Sequence, residues 1–245
     1  MPIAVVILLL DLSLVVHAAK TGRLCPWAYI ILAIPGLGAL AYIGMELLPE
    51  WMGSIEGQKT QAALSKKLDP DKRLRELNDQ FSRADTIANR VALANECLNR
   101  SRYDEGLEHF ETVLRRPMGD EPAYMLGKAK AQFGLRQFND AVVTLEELTG
   151  TYRDFNSAEG HLLYARSLEA AGRTKQALVE YDVVSAYFPG PEARVRYGML
   201  LVTAGRMPEG RAVFSEVLER IGRMPKYVRK VEAEWIALAE KGLKI

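Results

Sequence analysis

The side chains that could carry chemistry are few and far apart. The chain has three histidines, His17, His109 and His161, and two cysteines, Cys25 and Cys97. General-base or nucleophilic catalysis needs a base within hydrogen-bond reach of a hydroxyl, thiol or carboxyl group. His109 stands between Glu108 and Phe110 with no nucleophile at a telling spacing. His161 likewise reads as a packed, structural histidine. There is no CxxC, HExxH or GxSxG, and no glycine-rich phosphate loop. Zinc binding, zinc-dependent hydrolysis, serine acyl transfer and nucleotide chemistry therefore lack the residues they need. The expectation is a protein that is not an enzyme and has no cofactor and no metal site.

The charge balance excludes another class. With 32 basic and 31 acidic residues the net charge is +1. A nucleic-acid binder would show a basic excess, and none is present. The charge is unevenly placed, however. In residues 1–48 only Asp11, Lys20, Arg23 and Glu46 are charged. That break separates an apolar N-terminal part from a water-compatible remainder.

Within the apolar part, Ile3–Ala19 is interrupted by Asp11, Ser13 and His17, and Trp27–Leu48 carries Glu46 near its end. A polar turn, Lys20–Pro26, lies between them. Crossing a bilayer takes roughly 17–25 residues of helix. Trp27 and Trp51 bracket the second run as interfacial aromatics do. Residues 1–50 are thus expected to form a two-helix transmembrane hairpin, with Pro35-Gly36-x-Gly38 loosening or kinking the second helix. A cleaved signal peptide is the competing reading, but no lysine or arginine precedes the first run and a longer run follows at once. Burying an ionised Asp11 mid-span costs about 2.5–3.5 kcal/mol on insertion scales. It is either a helix–helix or subunit contact, through which the hairpin could form a homo-oligomer, or a protonated or water-reaching residue. The second reading is favoured. Lys20 and Arg23 would hold the turn in the cytoplasm, whereas Lys59, Lys66 and Lys67 after the second run pull the opposite way. The free Cys97 suits a reducing compartment. The expected location is a bacterial inner membrane with the water-compatible part in the cytoplasm.

The first helix ending in a basic turn, Pro26-Trp27, and the stretch Ile34-Pro35-Gly36-Leu37-Gly38-Ala39-Leu40-Ala41-Tyr42 resemble the N-terminal membrane segment of cardiolipin synthases of the phospholipase D superfamily. The catalytic signature of that superfamily begins HxK, and none of the three histidines is followed two residues later by lysine. The resemblance implies an anchor without lipid-synthesising activity.

From Ala88 to about Arg223 the chain repeats itself. Gly106, Ala141, Ala177 and Gly210 are spaced by 35, 36 and 33 residues. Four residues after each comes Phe110, Leu145, Tyr181 or Phe214, and three after that Val113, Leu148, Val184 or Val217. A fixed period of this size means stacked two-helix units. Apolar spacing, proline at helix starts (Pro122, Pro191, Pro208) and glycine at helix stops (Gly172, Gly205) predict four pairs. They cover 87–98 with 103–115, 122–133 with 138–148, 158–170 with 174–186, and 192–203 with 208–220. Ahead of them, Asp69-Pro70-Asp71 opens a helix to about Ala84 with Leu74, Leu77 and Phe81 on one face. The basic cluster Lys66, Lys67, Lys72, Arg73 and Arg75 reads as a solvated face. Behind them, a polar-faced helix from Pro225 to about Gly242, with Val228, Val231, Trp235, Leu238 and Ala239 inward, would cap the array.

These residues resemble the tetratricopeptide repeat (TPR) family. In that family a small residue on the first helix packs against a small one on the second; here Ala94, Ala129, Ala165 and Gly198 face Gly106, Ala141, Ala177 and Gly210. The departures are Gly106 in place of alanine, and Arg90, Met125, His161 and Arg194 in place of an early aromatic. Together these readings give an all-α fold: a two-helix transmembrane hairpin (1–50), a juxtamembrane linker and helix (51–86), an α-solenoid of about four TPR-like pairs (87–223) and a capping helix (224–245). The resemblance also implies that Asn95, Asn99, Lys130, Phe133, Arg166, Glu169, Met199 and Thr203 line a concave protein-binding groove. The chaperone-type carboxylate clamp is not expected, because Gly127 stands where an amide would be needed. The function implied is a membrane-anchored scaffold that takes a protein or peptide partner in the groove. The alternative is a non-catalytic accessory of phospholipid metabolism acting through the hairpin.

Overall fold

The computed structural model describes residues 2–54 and 69–244, and the side chains of these except residues 2–5 and Leu24. Most of the juxtamembrane linker, with Lys59, Lys66 and Lys67, lies outside the described residues. The chain divides into two compact units, Met1–Lys72 and Arg73–Ile245.

The N-terminal unit holds α1 (Pro2–Lys20), α2 (Leu24–Ala33), α3 (Leu37–Tyr42) and α4 (Leu48–Gly53), with a π-helical turn at Ile43–Leu47 joining the last two. The second apolar run is not the single helix that the expected two-helix transmembrane hairpin calls for. Among the described residues, no helix is long and apolar enough to cross a membrane. The second apolar run divides at Ile34–Gly36. Proline disfavours the helical conformation in the residue before it, and Ile34 is extended at φ −132°, ψ 80°. Gly36 then takes φ +80°, a conformation that costs a glycine nothing. The chain reverses, and Gly38 lies so close to α2 that a Cβ there would be 2.3 Å from the Ile30 carbonyl oxygen. Ala18, Ile31 and Tyr42 form the small core of this unit.

The second unit is all helix among its described residues. A leading helix, α5 (Lys72–Arg83), precedes four antiparallel pairs: α6 (Ile87–Asn99) with α7 (Tyr103–Leu114), α8 (Pro122–Gly134) with α9 (Phe138–Thr151), α10 (Ala158–Ala170) with α11 (Thr174–Tyr187), and α12 (Glu192–Thr203) with α13 (Met207–Gly222). Thr86 and Ser157 cap α6 and α10, accepting from the Asn89 and Gly160 amides at 3.2 and 3.0 Å. The four turns inside the pairs share one geometry. Ser101, Arg136, Gly172 and Gly205 all take φ between 58° and 81°. The next residue, Arg102, Gln137, Arg173 or Arg206, donates its amide five residues back to Cys97, Gln132, Leu168 or Leu201 at 2.8–2.9 Å. This bond closes the first helix and points the chain into the second.

The eight small residues at the repeat positions are all buried. Leu74 and Leu77 of α5 pack on Leu93 and Cys97, which closes the front of the array. At the back, two helices stand where one was expected: α14 (Lys226–Val231) and α15 (Ala233–Leu243). The break at Glu232 leaves Val231 79% exposed. Only the α15 part of the expected inward face, with Trp235, Leu238 and Ala239, packs on Phe214 and Val217.

Candidate binding groove

Asn95, Lys130, Arg166 and Met199 hold equivalent positions on α6, α8, α10 and α12, separated by 35, 36 and 33 residues. The period that builds the solenoid therefore also sets these side chains in a row. Asn95, Asn99, Lys130, Phe133 and Arg166 line one cavity of about 660 Å³, together with Leu98, Tyr103, Leu162, Phe188, Glu159 and Glu192. The arrangement brings amides, cations, carboxylates and aromatic faces to one concave surface.

Its electrostatics are set by two pairs. Lys130 Nζ lies 2.9 Å from Glu159 Oε1. The Arg166 guanidinium lies 4.8 Å over the Phe133 ring and 4.0 Å from Glu192 Oε1. Glu192 itself accepts from Arg196 Nε at 2.8 Å. Burial, and then the neighbouring Arg196 charge, lower the pKa of Arg166 from its ordinary value. Arg166 is thus the less well neutralised of the two cations, held by a ring face and a carboxylate already engaged elsewhere.

The remaining expected groove residues do not join this cavity. Glu169 accepts a hydrogen bond from the buried Tyr181 hydroxyl at 2.6 Å, an internal tie. Met199 and Thr203 line a separate hollow of about 190 Å³ with Lys241 and Gly242. The capping helix α15 contributes to that second hollow. Sequence reasoning missed Glu159 and Glu192. Their signal is their place in the first turns of α10 and α12, where carboxylates complement the helix dipole.

The histidines are engaged as structure. His109 Nδ1 is 3.2 Å from Arg90 Nη1, and its ring meets Phe81 edge-on at 5.6 Å. Burial lowers its pKa. His161 Nε2 is 2.7 Å from Glu180 Oε2, and Nδ1 bonds the Tyr187 hydroxyl. His161, Glu180 and Tyr187 line a hollow of about 360 Å³. The serine there, Ser157, is occupied as the α10 cap. Cys97 is buried, which raises its thiol pKa and disfavours the nucleophilic thiolate. Among the described residues no group of histidine, cysteine and carboxylate side chains could hold a metal.

Asp11, Trp27 and Trp51 belong to the other unit. Asp11 is 2% exposed and its carboxylate accepts from the Gly36 amide, at 3.2 Å to Oδ2. It does not reach water, and it joins α1 to the reversal between α2 and α3, a contact between helices within the unit. Trp27 Nε1 donates to Glu46 Oε1 at 3.1 Å, while Trp51 is 46% exposed.

The family model of the tetratricopeptide repeat matches residues 162–225, which cover most of the last two pairs of the array and the residues just after them. No curated protein matches the sequence. Among solved structures, a thermophilic TPR protein of Thermus thermophilus is similar at TM-score 0.55 and 16% identity, over 70% of this chain and 89% of that one. MamA of Desulfovibrio magneticus, from residue 41 to its end, is similar at TM-score 0.57 and 14% identity, over 74% and 98%. A tetratricopeptide repeat protein of Parabacteroides merdae is similar at 0.53 and 14%, over 94% and 91%. At these identities the likeness is one of fold. The array is a helical-repeat solenoid like those of tetratricopeptide repeat proteins.

Proposed function

We propose that the chain is a membrane-anchored, non-catalytic scaffold whose concave cavity holds an extended segment of a protein partner. The observation that carries this reading is the convergence of Asn95, Asn99, Lys130, Phe133 and Arg166 on one cavity of about 660 Å³. Exposed amides on α6 suit the backbone of an extended peptide, and the Phe133 face suits an apolar side chain. Lys130 and Arg166 suit a carboxylate that displaces Glu159 or Glu192 from them. Such a groove recognises shape and charge and needs no chemistry.

The anchor is the N-terminal unit, and the membrane it sits in is taken to be a bacterial inner membrane with the array in the cytoplasm. Leu8, Leu9, Leu12, Leu32, Leu37 and Leu40 are each 57–67% exposed, an apolar surface that water would not tolerate cheaply. Anchoring raises the effective concentration of a bound partner at the membrane. The test is cross-linking and capture from membranes, comparing the intact chain with an Asn99→Ala, Lys130→Glu, Arg166→Glu variant. A partner held by the intact chain and lost by the variant supports the groove; a captured set that does not change between them overturns it.

A further inference from the structure

The N-terminal unit has a topology that its sequence conceals. Asp11 meets Gly36, and His17 Nδ1 meets the Tyr42 hydroxyl at 3.0 Å. Both pairs are 25 residues apart, so α3 runs parallel to α1. Trp27 bonds Glu46, and Arg23 Nη1 lies 3.0 Å from Glu46 Oε2 and 2.9 Å from Glu50 Oε2. Those pairs close in the opposite sense, so α2 runs antiparallel to the α3–α4 stretch. The second apolar run therefore goes out along α2, turns at Ile34–Gly36 and comes back.

We propose that residues 24–53 are a re-entrant helical hairpin that enters and leaves a lipid bilayer on one face. The chain at Gly53 then emerges on the same side as the Lys20–Arg23 turn. This rests on the reading of the unit as a membrane anchor. The occupant of its exposed apolar surface is lipid hydrocarbon, and three observations select it.

First, polarity is segregated. Arg23, Glu46 and Glu50 gather at one end with Trp27 and Trp51, and the turn carries Lys20 and Thr21. Away from that end the outward surface is mostly leucine, isoleucine and valine, with Tyr29 and Met45 each 72% exposed among them. Second, polar groups within the apolar region are satisfied internally. Ser13 Oγ donates to the Leu10 carbonyl at 2.7 Å, and His17 bonds Tyr42. Third, non-helical backbone at membrane depth is tolerated only where protein satisfies it. At the reversal the Gly36 amide, which the break leaves without a helical partner, is met by the Asp11 carboxylate. The Gly38 amide donates to Ile34 O at 2.8 Å. Asp11 thus supplies the acceptor that lets the run turn back inside hydrocarbon.

The test uses the full chain in cell membranes, in a Cys25→Ser, Cys97→Ser background. Single reporters Lys20→Cys, Met52→Cys and Gly53→Cys are labelled with a membrane-impermeant maleimide, in right-side-out and inverted vesicles. All three sites are exposed, and a Cβ at Gly53 meets open space. The proposal predicts the same labelling ratio between the two vesicle types for Lys20→Cys as for Met52→Cys and Gly53→Cys. Opposite ratios mean that the second run spans the bilayer; they overturn the re-entrant path and leave the anchor standing. Release of the chain by alkaline carbonate, as a monomer or with a second copy covering the apolar surface, overturns the anchor and the re-entrant path together.

Discussion

The guanidinium of Arg166 lies 4.8 Å over the ring of Phe133, joining α10 to α8 across the floor of the groove. Both side chains are half-buried, so the contact is partly shielded from water. A desolvated cation–π pair contributes about 1–2 kcal/mol. A double-mutant cycle of Phe133→Leu and Arg166→Met, read by urea unfolding, is expected to give a coupling of about 1 kcal/mol. Strict additivity of the two changes would mean that the ring does not hold the cation.

The Phe110 ring fills the place where a side chain at position 127 would stand. A Cβ on Gly127 would lie 2.3 Å from Phe110 Cζ, and one on Gly198 would lie 2.6 Å from Phe214 Cε1. Neither ring can retreat, since both are 1% exposed. Gly127→Ala and Gly198→Ala are each expected to destabilise the array by about 1–3 kcal/mol, seen as a lower urea midpoint. Gly150→Ala, where a Cβ meets open space on α9, is expected to be neutral or stabilising.

Arg136 holds a left-handed conformation at φ 62° that Gly172 holds at φ 76° in the next repeat. A non-glycine residue pays roughly 1 kcal/mol for that geometry. Arg136→Gly is expected to raise stability by about 0.5 kcal/mol after the added entropy of the unfolded chain is counted. Gly172→Ala is expected to lower it by about 1 kcal/mol. Thermal unfolding of the two variants, shifting in opposite directions, checks the shared turn.

Burial, and then the Arg90 charge, lower the His109 pKa in the folded chain, against smaller raising effects from Glu108, Glu105 and Asp85. Between the ordinary histidine value near 6.5 and the folded value, the unfolded chain binds a proton that the folded chain does not. Stability is therefore complete above about pH 6.5 and falls as the pH drops through that window. His109→Gln is expected to flatten the fall in urea midpoint between about pH 7.5 and about pH 5.5. An unchanged slope would place the acid sensitivity elsewhere.

Much of the solenoid was legible because its period repeats a physical requirement: two helices approach closely only over small residues, and the next repeat must offer the same surface. Gly106, Ala141, Ala177 and Gly210 show this directly. The left-handed turn residues were only half legible. Gly172 and Gly205 announce themselves, but Ser101 and Arg136 hold the same conformation without the marker residue. Gly127 looked like a missing amide and is instead a seat for Phe110, a relation that crosses two repeats and leaves no local pattern. The groove's row of Asn95, Lys130 and Arg166 follows from the period. Its partition does not, because Glu169 is drawn inward by Tyr181 and the cap lines a separate hollow with Met199 and Thr203. At the N-terminus, length and hydropathy suggested a second spanning helix. Pro35 and Gly36 turn the chain back, and only the pairing of Asp11 with Gly36, across 25 residues, shows why the reversal is stable.

The groove is tested most directly by site-specific photocross-linking in the full chain. A photoreactive residue replaces Asn99 in the cavity or Val179, which is 62% exposed on α11 and does not line it. The account predicts a discrete adduct with one partner from position 99. That adduct is lost when Lys130→Glu and Arg166→Glu are added, and position 179 gives none. Equal cross-linking from both positions, or an adduct at position 99 that survives both charge reversals, would contradict it.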